Sequence, residues 1–496
     1  MLPSAPVWSN LKLVAQRWFL LAWLAGALVW VEGCKKPFLG PYGNNVFGVS
    51  RDTIRFDTLF TTLQSPSERF LIYNRSGRLL NVEEVYLENG SASIFKLILD
   101  GVEAQRHTGL ELARNDSALA FLSLKTSVTS DKFIREYLII KAGGATQRVP
   151  IEVQVLDAYF FRNRRLACNF TWPTDKPVVV DGVVQVDSNC TCVIPAGAKV
   201  YFTAARDRDF QVISRIQVYG TLRVEGAPGF PVEFRSVRLD PDYAEIAGQW
   251  YGIIFFSYSQ GNLLRNVLIK NGTVGVRADS IAQGFLPKVE MDGVEIRNMS
   301  NFGILGLGAS PQITGTPDAL RVTNSLIHNC GQSSVGLFFG GNYSFINSTI
   351  ANYGFDFTRR QPALAVQNFL EDAQGTIRTY SLNARFINTI IWGSERNEYG
   401  FEFRTGAPTT PSVTFTNCLI KYESPGQLSG TGNLFNQDPL FQNPRERDYR
   451  LVGDTVSRAS PAINRGVSTS ETPSIDIGGR TRDLPPDIGA WEYVND

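Results

Sequence analysis

Between residues 266 and 420 short runs of alternating apolar and polar positions return in nearly the same wording. Asn266-Val-Leu-Ile269 is followed by Asn324-Ser-Leu-Ile327, Asn347-Ser-Thr-Ile350, Asn388-Thr-Ile-Ile391 and Asn417-Cys-Leu-Ile420, and Gly293-Val-Glu-Ile296 is a variant with Gly in the Asn slot. Within each run the Ile shares one strand face with the small or β-branched residue two before it: Val267, Val294, Ser325, Ser348, Thr389 or Cys418. The position between them varies, as an outward face should. Starts at 266, 293, 324, 347, 388 and 417 give intervals of 27, 31, 23, 41 and 29. A loose period in that range marks supersecondary units stacked one on another.

Two positions beyond the Ile an Asn returns, at Asn271, Asn298, Asn329 and Asn352. Asn tolerates the left-handed conformation and bonds its own backbone, so it suits a turn, and stacked turns would align these amides in a ladder. A second strand follows at Gly275-Val276, Gly303-Ile304, Gly336-Leu337 and Gly400-Phe401. Strand, turn and strand in constant order predict a right-handed parallel β-helix, in which each rung buries its inner face only through its neighbours. The interval of 41 exceeds one rung, so residues 354–383 are expected as a loop leaving the coil. The strand-rich stretches 178–186, 191–203, 216–224 and 232–237 read as opening rungs without the Asn-x-x-Ile form.

Upstream the pattern changes. Residues 69–73, 82–87, 94–99, 119–124, 136–141 and 148–155 are short alternating runs broken by Gly, Asn, Asp and Ser. That spacing predicts an antiparallel β-sandwich. The fold expectation is therefore all-β: a sandwich over 51–157, a β-helix over 158–440 and a C-terminal cap over 441–496 covering the coil's last open edge.

At the N-terminus, Lys12 and Arg17 precede an apolar run of 14 residues, 18–31, short of the ~20 that span a bilayer. The junction Val31-Glu32-Gly33-Cys34 resembles the lipobox of bacterial lipoproteins. That resemblance implies a signal peptide over 1–33, a lipid on Cys34 and a linker over 34–50, with Lys35 and Lys36 beside an anionic membrane surface. The wording of the sandwich segments, among them Phe70-Leu-Ile-Tyr-Asn-Arg-Ser76 and Val149-Pro-Ile-Glu-Val153, resembles the immunoglobulin-like modules that stand beside bacterial surface domains. Further on, Asp438-Pro-Leu-Phe-Gln-Asn-Pro444, Asp448-Tyr-Arg-Leu451, Ser460-Pro-Ala-Ile-Asn464 and Pro486-Asp-Ile-Gly-Ala-Trp-Glu492 occur in order. Together with Ile194–Tyr201 and Val218–Gly226 they resemble surface-anchored bacterial β-helix proteins of the pectate-lyase-like superfamily. The resemblance implies a fold and a place at the cell envelope, in the outer membrane or at the cell surface. It implies no single activity, since that superfamily holds lyases, hydrolases, epimerases, adhesins and scaffolds.

Composition narrows the chemistry. A net charge of +1 argues against a nucleic-acid partner, and 19% charged with 11% aromatic residues argues against disorder. Only two His are present. Of six cysteines, Cys168, Cys190 and Cys192 lie near the first rung; a Cys168–Cys190 disulfide is the preferred bridge and Cys168–Cys192 the alternative, with Cys330 and Cys418 as buried thiols. Enzymes resembling the polygalacturonases carry Asn-Thr-Asp, Asp-Asp and Gly-His-Gly motifs, and none of the three occurs here. A lyase of this fold would need a Lys or Arg base beside calcium-binding carboxylates. Asp207, Asp209, Asp240 and Asp242 with Arg206 or Arg208 are the available set, although their spacing fits no defined calcium loop. No catalytic residue, cofactor or metal ligand is therefore assigned, calcium being the one ion considered.

The position after each repeated Ile points outward and reads Lys270, Arg297, His328, Ala351, Trp392 and Lys421. Stacked, these would form a mostly basic stripe with one aromatic, suited to an acidic glycan. Lys270, Arg297, His328, Trp392 and Lys421 are accordingly the ligand-binding candidates. The functional expectation is a lipid-anchored envelope protein that binds glycan or another surface component without catalysis. A polysaccharide lyase or glycoside hydrolase is one alternative and a structural scaffold the other.

Overall fold

The computed structural model describes residues 46–494 apart from 62, 64–65, 125–129, 210, 311–312 and 454–457. The expected signal peptide and lipidated Cys34 lie outside the described residues. The chain divides into two compact units.

The first unit is built on two sheets. Phe47–Val49, Glu68–Asn74, Ser117–Leu124, Phe95–Leu99 and Val102–Glu103 form one, in that order. The other runs Ile54–Arg55, Ala145–Leu156, Lys132–Ala142, Leu80–Leu87 and Arg106–Leu112. Alternate residues are buried in both: Phe70 and Ile72 opposite Ala120 and Ala118, and Val82, Val85 and Leu87 beside Leu138 and Ile140. This is the period of a sheet with one face in a core. The expected linker over 34–50 is too long at its end, because Phe47–Val49 pairs with Glu68–Asn74 and is part of the sandwich.

The second unit is a parallel β-helix whose 26 strands run from Tyr159–Arg165 to Leu434–Phe435. Each full rung presents three faces. The first holds Leu320–Thr323, Gly341–Ile346, Leu382–Ile387 and Ser412–Thr416; the second holds Leu326–Cys330, Thr349–Asn352, Ile390–Gly393 and Leu419–Ile420. The third holds Phe302–Leu307, Val335–Phe338, Leu364–Gln367 and Tyr399–Glu402.

The repeated wording has a local cause. Asn266, Asn324, Asn347, Asn388 and Asn417 all adopt positive φ, between 45° and 53°, at the corner between first and second faces. Gly293 takes the same corner at φ 66°, which explains why only Gly replaces Asn there. In four of the six repeats the side chain after the corner turns back on the backbone, Val267 and Val294 being the other two. Ser325 Oγ donates to the Thr323 carbonyl at 2.7 Å, Ser348 Oγ to Ile346 at 3.0 Å and Thr389 Oγ1 to Ile387 at 3.0 Å. Cys418 Sγ makes the equivalent contact with Thr416 at 3.4 Å. Two residues on, Ile269, Ile296, Ile327, Ile350, Ile391 and Ile420 stack in register, all fully buried. Burying each such side chain contributes roughly 1.5–3 kcal/mol. Inside the first face Phe345, Phe386 and Phe415 stack with centroids 5.1 Å apart at each step. The turn Asn residues form one amide–amide link, Asn329 Nδ2 to Asn298 Oδ1. Asn271 and Asn352 instead donate to loop and turn carbonyls.

Two expectations are corrected. The stretch 354–383 is not wholly a loop, because Leu364–Gln367 is a rung strand; the excursion is carried by the hairpin Phe369–Glu371/Ile377–Thr379. The C-terminal segment meets the last strand at Leu434 but is not confined to that end. It lies along the outer side of the second face, where Phe441, Tyr449, Leu451, Ala462, Ile488 and Ala490 pack against Leu326, Ala351, Ile390, Trp392 and Leu419. The corner amides hold it there: Asn388 Nδ2 and Oδ1 bond the carbonyl and N–H of Val467, Asn347 Nδ2 bonds the Asp487 carbonyl and Asn417 Nδ2 that of Arg465. Arg482 Nη2 donates to Asn324 Oδ1 at 2.8 Å.

Cys168 and Cys190 form the disulfide at the first rung. Cys192 is a buried thiol whose sulfur accepts from Trp172 Nε1 at 3.0 Å. Cys330 and Cys418 are also buried thiols.

Candidate functional site: a groove on the third face

The outward column of the second face stacks in register as its spacing predicts, with Lys270 beside Arg297 and Arg297 beside His328. It is not an open surface. Lys270, His328, Ala351 and Trp392 are buried, and Arg297 and Lys421 are half-buried. The reason is the tail: the His328 ring lies 4.6 Å from that of Tyr449, and Trp392 belongs to the apolar cluster that holds the tail. The cations are also spoken for. Lys270 Nζ and Arg297 Nη1 bind the two oxygens of Glu245 at 2.6 and 3.1 Å, and Arg447 of the tail approaches the same carboxylate at 3.5 Å. His328 Nε2 faces Glu295 at 3.2 Å, and Lys421 Nζ donates to the Gly393 carbonyl at 2.8 Å. Burial pushes the Lys270 ammonium and the His328 imidazolium below their usual ranges, against the pull of Glu245 and Glu295. For Glu245 burial favours the neutral acid, but Arg297, Lys270 and Arg447 outweigh it and hold the carboxyl below the usual range. An acidic glycan therefore finds no open stripe here: His328 and Trp392 pack against the tail, Lys270 and Arg297 hold Glu245, which Arg447 of the tail also approaches, and Lys421 bonds the coil's own backbone.

The open surface with binding shape is on the third face. Core residues Ile304, Val335, Leu364 and Tyr399 point inward in one column, so the next column, Leu305, Gly336, Ala365 and Gly400, points outward. Three of these four are Gly or Ala, which leaves a trough of about 580 Å³. Its wall carries Phe302 and Phe338, whose rings meet edge to face at 5.7 Å over Gly336. A Cβ on Gly336 would lie 3.0 Å from both rings, and one on Gly400 would lie 2.8 Å from Pro362 Cγ. Phe401, 41% exposed, stacks between Tyr399 at 5.3 Å and Phe403 at 5.2 Å. Gln332, Gln361, Gln367 and Glu402 add polar groups, and Glu402 pairs with Arg404 at 2.6 Å. Ser333 is buried in the lining, and its hydroxyl oxygen has no hydrogen-bond partner.

A second hollow of about 510 Å³ lies on the neighbouring rungs and is lined by Arg206, Asp207, Arg215, Tyr251, Ser300 and Asn301 among others. The stacked turn residues Thr273, Asn301 and Gln332 link it to the trough, each donating its N–H to the preceding rung: Asn301 to Thr273 at 3.0 Å and Gln332 to Asn301 at 2.9 Å. The two hollows thus follow one edge of the coil, parallel to its axis, with rungs about 4.8 Å apart.

The carboxylates considered for calcium do not gather. Asp207 Oδ1 accepts the N–H groups of Asp209 at 3.0 Å and Gln211 at 2.8 Å, closing its own loop. Asp240 receives Arg238 Nε at 2.7 Å and Nη2 at 3.3 Å. Among the described residues no group of three or more His, Cys, Asp or Glu side chains could hold a metal ion. Trp250 is wholly buried, stacked 3.8 Å from Phe202 with its Nε1 donating to the Lys270 carbonyl, while neighbouring Tyr251 lines the second hollow.

Sequence reasoning missed the trough because its four Gly-apolar pairs look alike. Gly275 and Gly303 occupy one register and face the core, where a Cβ would meet Ile296 and Ile327 methyls at 2.5 and 2.4 Å. Gly336 pairs with Leu305 and Gly400 with Ala365, two columns over and outward.

No protein-family model and no curated protein matches the chain. Among solved structures, the Agl-KA catalytic domain aligns at 13% identity over 72% of this chain and 76% of its own, with a TM-score of 0.30. The A-module of mannuronan C-5 epimerase AlgE4 from Azotobacter vinelandii aligns at 13% identity over 57% of this chain and 88% of its own, TM-score 0.27. A family 123 glycoside hydrolase from Clostridium perfringens aligns at 10% identity over 22% of this chain, TM-score 0.17, and the chain spans 25% of that protein's length. The likeness reaches no further than a β-rich fold.

Proposed function

We propose that the chain is a cell-envelope β-helix protein, tethered by a lipid on Cys34, that binds a polysaccharide along the third face without cleaving it. The observation that carries this reading is the trough itself: a floor of Ala365 and Gly400, the rings of Phe302 and Phe338 lying over Gly336 as its wall, and amides along it. Rings take the C–H faces of sugars while amides and hydroxyls order their oxygens. Only one carboxylate, Glu402, lines the trough, whereas two-carboxylate glycoside hydrolysis needs a pair on opposite sides of the bond. Lipid attachment at Cys34 and the outer-membrane or surface location rest on the lipobox-like junction and belong to the same proposal.

One observation favours a second reading. The second hollow places Arg206, Arg215 and Tyr251 near Asp207, the residue types a polysaccharide lyase uses for proton abstraction beside a calcium-held uronate. Incubating the protein with neutral and acidic polysaccharides, with and without calcium, and following retention and chain length together separates the two. Retention without shortening is the expected result. Shortening that depends on Arg215 would replace binding with lyase chemistry, and silence in every tube would favour a scaffold.

A further inference from the structure

The trough does more than accept a glycan; its lining selects one. Resting on the proposed binding role, we infer that it takes a neutral polysaccharide and rejects chains bearing uronate or sulfate groups. Of the residues that line it, only Glu402 is ionisable, and that side chain is an anion. Arg404 is its ion-pair partner at 2.6 Å and also lies 4.9 Å over the Phe369 ring, so it is already engaged on two sides. The aromatic faces of Phe302 and Phe338 carry the negative side of the ring quadrupole, which favours C–H groups and disfavours carboxylates.

What the lining offers instead is neutral and two-sided. Gln332, Gln361 and Gln367 each supply a carbonyl acceptor and an NH₂ donor, the set that matches hydroxyl groups able to give and receive. Ser333 adds a buried hydroxyl to the same lining. A buried polar atom without a partner is destabilising in the free protein, and such atoms are rare unless something else satisfies them. The Ser333 oxygen is shielded in the free protein, so a sugar hydroxyl at the bottom of the trough would supply the missing bond once the side chain rotates about χ1 toward it. The trough thus differs in kind from the basic column under the tail, whose cations face Glu245 and Glu295 and no solvent-filled channel.

The test is affinity electrophoresis of the full chain in gels holding a β-glucan, a mannan, a xylan, a pectate or an alginate, at low salt. Retardation by at least one neutral polymer and by neither acidic one is expected. Ser333→Ala should weaken that retardation severalfold, and Gly336→Val, whose side chain would collide with the Phe302 and Phe338 rings and push them from the trough wall, should abolish it. Circular dichroism of the Gly336→Val protein checks that the coil is intact, and Ser333→Ala serves if it is not. Retardation by pectate or alginate at least as strong as by the neutral gels would overturn the neutral-ligand inference. If that retardation is lost in Gly336→Val, the trough as binding site survives. Retardation that persists in Gly336→Val, or none in any gel, would overturn the binding reading itself.

Discussion

Asn388 is the corner residue on which the coil and the tail both depend. It is fully buried at φ 48°, its Oδ1 accepts the Val467 N–H at 2.8 Å, and its Nδ2 donates to the Val467 carbonyl at 2.8 Å and to Asn347 Oδ1 at 3.1 Å. The amide thereby pairs with a tail residue as a strand backbone would. In Asn388→Ala a Cβ residue without a side-chain amide must hold the left-handed conformation, which costs about 1 kcal/mol more than Asn or Gly. Three hydrogen bonds are lost as well, and each contributes about 1 kcal/mol net. Val467 is half-buried, so part of its desolvation is recovered by water. The total destabilisation expected is about 3–4 kcal/mol. Asn388→Gly keeps the conformation and loses the bonds, so it should be milder than Ala by about 1 kcal/mol. Asn266 shares the corner geometry at φ 46° but makes one side-chain bond, 3.2 Å to the Gly226 carbonyl, and Asn266→Ala should lose about 2 kcal/mol. Urea unfolding of the coil followed by circular dichroism gives the differences, and limited proteolysis reports release of the tail. Equal loss in the Ala and Gly variants would refute the role of φ, and a loss under 1 kcal/mol in both would refute the role of the amide.

Further outcomes follow from the same contacts. Burial depresses His328, so the folded state binds fewer protons than the unfolded one below the ordinary imidazole value near 6.5; stability present above that value should fall as pH drops through it. His328→Gln should flatten that slope, which urea titrations between pH 5 and 8 would show. Burial pushes the thiols of Cys192, Cys330 and Cys418 up to about 12, so none should react with a thiol reagent at neutral pH until the coil unfolds. Reaction of any of the three in the folded protein, identified by mass spectrometry, would contradict their placement. Removing the Cys168–Cys190 bridge, which closes a sequence separation of 22, should cost about 3 kcal/mol and be visible as a lower urea midpoint.

The coil was legible because its cause is local. A left-handed corner restricts one position to Asn or Gly, a backbone hydrogen bond selects Ser, Thr or Cys beside it, and stacking repeats Ile two residues later. The direction of the Lys270-to-Lys421 column was legible for the same reason. Its burial was not, since contacts such as His328 with Tyr449 join residues more than a hundred positions apart, and no periodicity encodes them. The tail phrases pointed to a capping segment, and its partners extend from the last strand at Leu434 to the corner amides along the flank. The trough stayed hidden because register decides whether a Gly faces inward or outward, and Gly303 and Gly336 are written alike.

The central claim is that ligand lies along the third face. Hydrogen–deuterium exchange of the full chain, with and without a saturating polysaccharide that retards it, addresses this directly. Slower exchange in ligand should centre on the backbone of 332–338, 361–367 and 400–402, with the tail at 441–493 unchanged. Protection confined to the tail or to the sandwich strands, with those three stretches unaffected, would contradict it.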